Sequence, residues 1–228
     1  MSKPRTQVER STATRQALLD AARRLFEQRG FDAVSAEEIV SEASVTRGAL
    51  YHHFEDGKPG LFREVVREVM EEVHARLTAE GRRATTPLEA LELGMNAFLR
   101  ICTEPGYRRV LLLDGPAVLG WYQWRSLDLE YGLGLLRRAL EAAVGSGQIE
   151  VADVEMTTHL LAGALVDAAL LLGQARDQRA LRRRLKATLL RLLYGLRPDA
   201  RKEPTARGTR GPTSSRPPRP AAPGRRFP

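Results

Sequence analysis

The residues best equipped for chemistry stand close together, in Thr46-Arg47-Gly48 and again in Tyr51-His52. An arginine guanidinium can fork onto the edge of a guanine, and a threonine hydroxyl can bond a base or a phosphate. Gly48 has no side chain, so a helix carrying it can come close to a duplex. Tyr51 and His52 follow one helical turn later, within reach of phosphates or a thymine methyl. Lys58, with backbone amides at the start of a further helix, can hold another phosphate through charge and helix dipole. This is the chemistry of recognition. No nucleophile–base pair, paired-carboxylate constellation or phosphate-binding loop stands in the chain, so no catalytic residue and no enzymatic activity are expected.

The remaining reactive side chains narrow the reading further. Cys102 is the single cysteine, which excludes an intrachain disulfide or a Cys-x-x-Cys pair and fits a reducing, cytoplasmic setting. Nothing near it in sequence lowers a thiol pKa, so it reads as an inert buried residue. His52, His53, His74 and His159 lack a ligand spacing such as His-Glu-x-x-His, and no metal or cofactor is expected.

The elements that must position these residues are helical throughout. No run alternates as a strand would, so the expected fold class is all-α. A first helix near residues 12–29 carries Leu18, Ala21, Ala22, Leu25 and Phe26 on one stripe and stops at Gly30. A second opens at Ser35, which with Glu38 forms a Ser-x-x-Glu capping box, and turns Ile39, Val40 and Ala43 inward. The short connection Ser44-Val45 leads to Thr46, which can cap a third helix whose Leu50 faces the core. A long fourth helix from about Pro59 repeats Leu61, Val65, Val69, Val73 and Leu77. Two short helices joined by a tight turn are a helix-turn-helix, whose second helix enters the major groove by its N-terminal end. Residues 1–58 balance nine Lys or Arg against nine Asp or Glu, so binding there must rest on local arrangement.

After a linker at 81–86, further helices are expected near 87–102, 105–113, 121–145, 153–175 and 178–196. In the fourth of these Leu160, Ala164, Ala168 and Leu171 form one apolar face, beside a second of Leu161, Leu165, Ala169 and Leu172. A helix apolar around so much of its girth is expected to pack on its own core and on a second copy of the chain. Leu185, Leu189 and Leu192 in the last helix extend that homodimer face. Asp167 on the apolar face reads as a paired structural carboxylate, because a lone buried one is costly. The apolar run 160–173 is shorter than the roughly 20 residues of a membrane span, and the start of the chain has no leader-like apolar stretch, so no membrane partner is expected. The net charge of +8 sits mainly in residues 199–228, where eight Lys or Arg face Asp199 and Glu203 and seven of the thirteen prolines fall. That segment reads as a disordered basic tail, and residues 1–12 as a shorter flexible arm.

Residues 14–70 resemble the DNA-binding domain of the TetR family of transcriptional repressors. The likeness is carried by Ala21-Ala22-x-x-Leu25-Phe26, Gly30-Phe31, Ile39-x-x-x-Ala43 and Val45-Thr46-x-Gly48-x-Leu50-Tyr51-x-His53-Phe54, with Lys58 and Leu61-Phe62. Two departures stand out: Ser44 occupies a turn position where the family usually has glycine, and Glu55-Asp56-Gly57 is one residue longer than the common spacing. The resemblance implies base or phosphate contacts for Thr46, Arg47, Gly48, Tyr51, His52 and Lys58, a phosphate contact at Ser35, and His53 turned toward the helix packing. The segment Leu111-Leu112-Leu113-Asp114-Gly115-Pro116-Ala117-Val118-Leu119-Gly120-Trp121 is similar to one helical C-terminal subtype of the family, in which the last two helices pair with their copies. Residues 13–58 then form the DNA-binding domain and 59–198 a ligand-binding and dimerisation domain, with 59–80 connecting them. A homodimer on a palindromic double-stranded operator, released by a small-molecule inducer, is what the family implies. For the cluster Trp121, Tyr122 and Trp124 two readings stand, a wall of the inducer pocket or ordinary core packing. Met95, Phe98, Cys102 and His159 are candidates for the same cavity. The same motif also serves activators and architectural proteins, and a helical adaptor without sequence-specific DNA binding is the remaining alternative.

Overall fold

The computed structural model describes residues 6–198, and among these every regular element is a helix. The basic tail expected over 199–228 lies outside the described residues. Helix α1 (Gln7–Arg29) begins earlier than its apolar stripe suggests, because Thr6 and Glu9 form a capping box. The Thr6 hydroxyl accepts the Glu9 N–H at 3.2 Å and the Glu9 carboxylate accepts the Thr6 N–H at 2.7 Å. Residues 7–12, expected in a flexible arm, are therefore helical, held by capping that apolar periodicity does not register.

Helix α2 (Ala36–Glu42) opens at Ser35 with the expected capping box, and α3 (Arg47–His53) at Thr46, whose hydroxyl accepts the Ala49 N–H at 3.2 Å. Between them the chain makes a Schellman turn. Val45 N–H bonds the Val40 carbonyl, Ser44 N–H bonds that of Ser41, and Ser44 takes the left-handed φ of 55° that this turn requires. The longer turn before α4 (Lys58–Gly81) is also bonded, Gly57 N–H to the Phe54 carbonyl at 2.7 Å. Gly57 has φ 62°, and a Cβ there would stand 2.8 Å from the Tyr51 ring, so no other residue fits without displacing it.

Leu18, Ala22 and Phe26 of α1, Ile39, Leu50, and Leu61, Phe62 and Val65 of α4 are completely buried together. Phe62 meets Phe26 and Phe31 edge-on, with centroids 5.2 and 5.0 Å apart. This core fixes the direction of α3, because Leu50 points into it and the opposite side of α3 is left to solvent. The same cluster runs on along α4 through Val69, Met70, Val73 and Leu77 to Ala97, Ile101, Val110 and Trp124. Helix α4 thus belongs to both halves of the chain.

The second half comprises α5 (Pro87–Ile101), α6 (Pro105–Tyr107), α7 (Gly115–Leu119), α8 (Trp121–Asp128), α9 (Gly134–Gly145), α10 (Val154–Gln174) and α11 (Gln178–Tyr194). Two π-helical stretches, Arg108–Asp114 and Leu129–Leu133, interrupt what the sequence reads as continuous helices near 105–113 and 121–145. Each ends in a glycine whose N–H bonds the carbonyl five residues back, Gly115 to Val110 and Gly134 to Leu129. A Cβ on either would lie within 3 Å of that same carbonyl oxygen, at 2.9 Å and 2.6 Å. The wide turn closes because these positions carry no side chain.

A second core joins Leu91, Met95 and Leu99 of α5, Leu140 of α9, Leu161, Leu165, Ala168 and Leu172 of α10, and Leu189 and Leu193 of α11. Ala168 and Leu189, expected on the dimer face, are therefore buried within the protomer, while Ala164 and Leu185 are half-buried. The reason is helical pitch: steps of four drift by about 40° each, so a face begun at Leu160 has turned inward by residue 168. The outward stripe of α10 is Met156, Leu160, Gly163, Asp167 and Leu171, with Leu160 76% exposed. By length and composition α10 would suit a membrane span, being longer than the apolar run 160–173 that it contains. Its other face is nonetheless part of the second core.

Candidate functional site

At the N-terminal end of α3, Thr46, Arg47 and Gly48 are exposed, and Tyr51 and His52 continue the same open surface. Arg47 is not idle there. Its Nη1 donates to Glu37 Oε1 at 2.6 Å, and its guanidinium lies 5.7 Å from the centre of the Tyr51 ring. Bonding to Tyr51 and the charge of Glu37 raise its pKa above the ordinary arginine value. Glu37 was not among the residues expected from sequence. Its position in the first turn of α2, the helix that braces α3, is the signal that could have marked it.

The Ser35 hydroxyl accepts the Glu38 N–H at 3.1 Å, and a hydroxyl that accepts can still donate to a phosphate. His53 is half-buried against Phe54, and burial, His52 and Arg15 push its pKa down, in keeping with a packing role. Lys58 requires a correction. Its Nζ donates to the carbonyls of Phe31 and Val34 at 3.0 and 2.8 Å and sits over the Phe31 ring, 3.9 Å from its centre. Lys58 is thus held at the α1–α2 corner by two backbone carbonyls and the Phe31 ring rather than directed outward.

A cavity of about 410 Å³ opens between α4, α5, α9, α10 and the two π-helical stretches. Met95, Phe98 and Trp124 line it, and Trp124 Nε1 donates to the Leu111 carbonyl at 2.8 Å. Cys102, Trp121, Tyr122 and His159 do not line it. Cys102 is buried within the helix packing, where desolvation pushes its thiol up to about 12. Trp121 and Tyr122 are 59% and 87% exposed, because α8 starts only after Gly120 and turns one of the three aromatics inward. His159 Nδ1 lies 2.7 Å from Arg125 Nη2. Sequence reading missed the polar wall: His74, Thr78, Asp128 and Tyr131. His74 and Thr78 each follow a core residue of the α4 stripe, Val73 and Leu77, and that adjacency was the available signal. Among the described residues no group of three or more His, Cys, Asp or Glu is arranged to hold a metal.

The cavity and the helix-turn-helix share one element. Leu111 and Leu112 of the stretch Arg108–Asp114 line the cavity, and Asp114 at its end accepts the Phe31 N–H at 2.8 Å, at the corner between α1 and α2.

This arrangement matches two family models along most of its length. The model described as bacterial regulatory proteins, tetR family, covers residues 18–65, and the tetracyclin repressor-like C-terminal domain covers residues 88–196. A solved TetR-family transcriptional regulator from Pectobacterium atrosepticum is 32% identical, superposes with a TM-score of 0.70, and shares 84% of this chain and 97% of its own. The chain belongs to the TetR family. As a TetR-type transcriptional regulator it is also similar to the transposon Tn10 TetC protein of Escherichia coli, 27% identical over 164 residues, 72% of this chain and 82% of TetC. The transcriptional repressor BepR of Brucella suis is 37% identical over 98 residues, 42% of this chain and 46% of BepR. Thr46–Tyr51 fall inside the TetR helix-turn-helix match, and the cavity lies between the two matched regions and within the second.

Proposed function

We propose that this TetR-family regulator is a repressor that binds a palindromic operator as a homodimer and releases it when a small molecule fills the cavity. The observation that carries the reading is the exposed N-terminal end of α3, with Thr46, Arg47 and Gly48 projecting from a helix whose other side is locked by Leu50. Thr46 and Arg47 read bases, Gly48 permits the approach, and Ser35, Tyr51 and His52 bond phosphates. The outward stripe Met156, Leu160 and Leu171 of α10, with exposed Leu192 of α11, supports a self-complementary dimer face, since so much apolar surface together favours association. Such a dimer presents two copies of α3 to successive major grooves about 34–36 Å apart or somewhat more. Relatives named as repressors, BepR among them, support the sign of regulation, and binding to an operator is work for the cytoplasm.

The test is selection of bound duplexes from a random library at low and high salt, with Arg47→Ala in parallel. A palindrome enriched by the natural protein and lost by the variant, with helicity and dimerisation unchanged, is the expected result. Salt-sensitive binding without a motif would replace this reading with an architectural role.

A further inference from the structure

The walls of the cavity say what kind of molecule enters it, and this inference rests on the ligand-release reading above. Along α4 the lining residues run in order from Met70 and Val73 through His74, Leu77 and Thr78 to Gly81 and Arg82. Most of the remaining wall is apolar, including Met95, Phe98, Leu111 and Trp124, with His74 and Tyr131 interrupting it. The Asp128 carboxylate, which also reaches the lining, is held by Arg125 at 2.7 Å, so its charge is already met.

Two further polar features, Thr78 and Arg82, stand toward the C-terminal end of α4. Thr78 lines the cavity, and its Oγ1 is buried with no hydrogen-bond partner, a costly condition unless a ligand supplies one. Arg82 follows one turn later, exposed, and among the described residues no carboxylate is bonded to it. Arg138 of α9 lines the same cavity, also exposed and, among the described residues, also without an ion pair. Helix α5 packs against both α4 and α9, and Arg82 and Arg138 line the same cavity from these two helices. Nearby carboxylates are occupied: Glu80 by Arg83 and Arg100, and Glu141 by Arg137.

We propose that the ligand is an amphipathic anion, its apolar body in the cavity and its acidic head at the mouth between Arg82 and Arg138, bonded to the Thr78 hydroxyl. A cavity of 410 Å³ takes on the order of a dozen methylene-sized groups, taking the roughly 30 Å³ share of a liquid water as the unit.

Dodecanoate and dodecan-1-ol, equal in chain length and differing in head charge, are the probes, used below self-association and measured by calorimetry on the full-length protein. Dodecanoate is expected to bind at least tenfold more tightly than the alcohol and to release the operator. Arg82→Ala with Arg138→Ala should remove most of that preference and leave alcohol binding within twofold, because both side chains are exposed and unpaired. Thr78→Val, which keeps the shape and removes the hydroxyl, should weaken both probes. Equal binding of the two probes, or indifference of dodecanoate to the arginine pair, overturns the anionic head. Dodecanoate that binds as expected without releasing the operator upholds the ligand class and instead refutes the ligand-release reading.

Discussion

Asp114 offers the sharpest perturbation of the link between the two halves. Its carboxylate accepts the half-buried Phe31 N–H at 2.8 Å, where α1 has just ended and no helical carbonyl can take that proton. A hydrogen bond to a charged acceptor contributes about 1.5–3 kcal/mol net, and a stranded buried donor costs about 1–3 kcal/mol. Asp114→Ala is therefore expected to destabilise the protein by about 2 kcal/mol, and Asp114→Asn, which keeps an acceptor oxygen, by about half as much. For a chain of this size the alanine variant should melt about 4–8 °C lower, read by circular dichroism or calorimetry. Operator binding with and without ligand supplies the functional arm. Leu111 and Leu112 touch the cavity one turn before Asp114, so severing the bond should shrink the ligand-driven fall in operator affinity. An alanine variant that melts within about 1 °C of the natural protein, or keeps its whole ligand response, refutes the reasoning.

Three further outcomes are expected. Ser44→Gly should raise the melting temperature by a degree or two: a left-handed non-glycine residue costs about 1–2 kcal/mol, and the looser unfolded chain returns only about half of that. Glu38 has its pKa lowered to about 2 by the Ser35 N–H and then Arg29, so its stabilisation is complete above the ordinary value of 4.5 and is lost as pH falls toward 2. Glu38→Gln should accordingly flatten the acid limb of a melting-temperature profile, and an unchanged limb would count against the capping box. Leu160→Glu with Leu171→Glu should yield folded monomers by light scattering, with operator affinity greatly reduced; a persistent dimer would remove α10 from the interface.

Where local chemistry decides structure, the sequence was a sufficient guide. Ser35, Glu38 and Thr46 announce their caps because the spacing of cap and N–H is fixed within one turn, and Leu61 and Val65 announce the core by periodicity. The tolerated departure at Ser44 was legible too, since the turn needs a left-handed residue whatever its type. What stayed hidden depends on contacts distant in sequence or on backbone irregularity. The destination of Lys58 is set by carbonyls some 25 residues away, at Phe31 and Val34. The break at Gly120 resets the rotation of the following helix, which turns Trp124 inward and leaves Trp121 and Tyr122 outside. The cavity could not be read from apolar periodicity at all, because Val73 and Leu77, which line it, obey the same spacing as residues that fill a core.

The bond between Arg47 and Glu37 has a consequence for how the protein tells one DNA sequence from another. On the proposed reading, a base wins the guanidinium only by outbidding a carboxylate that is always present at full local concentration. Guanine, with two acceptors in the right fork, can do so; an edge offering one poorly placed acceptor cannot. On that reading the protein carries a competing ligand of its own, and a sequence without a good acceptor leaves Arg47 on Glu37. Because an exposed ion pair contributes little, Glu37 would sharpen the discrimination modestly, and Glu37→Gln would relax it in the duplex selection.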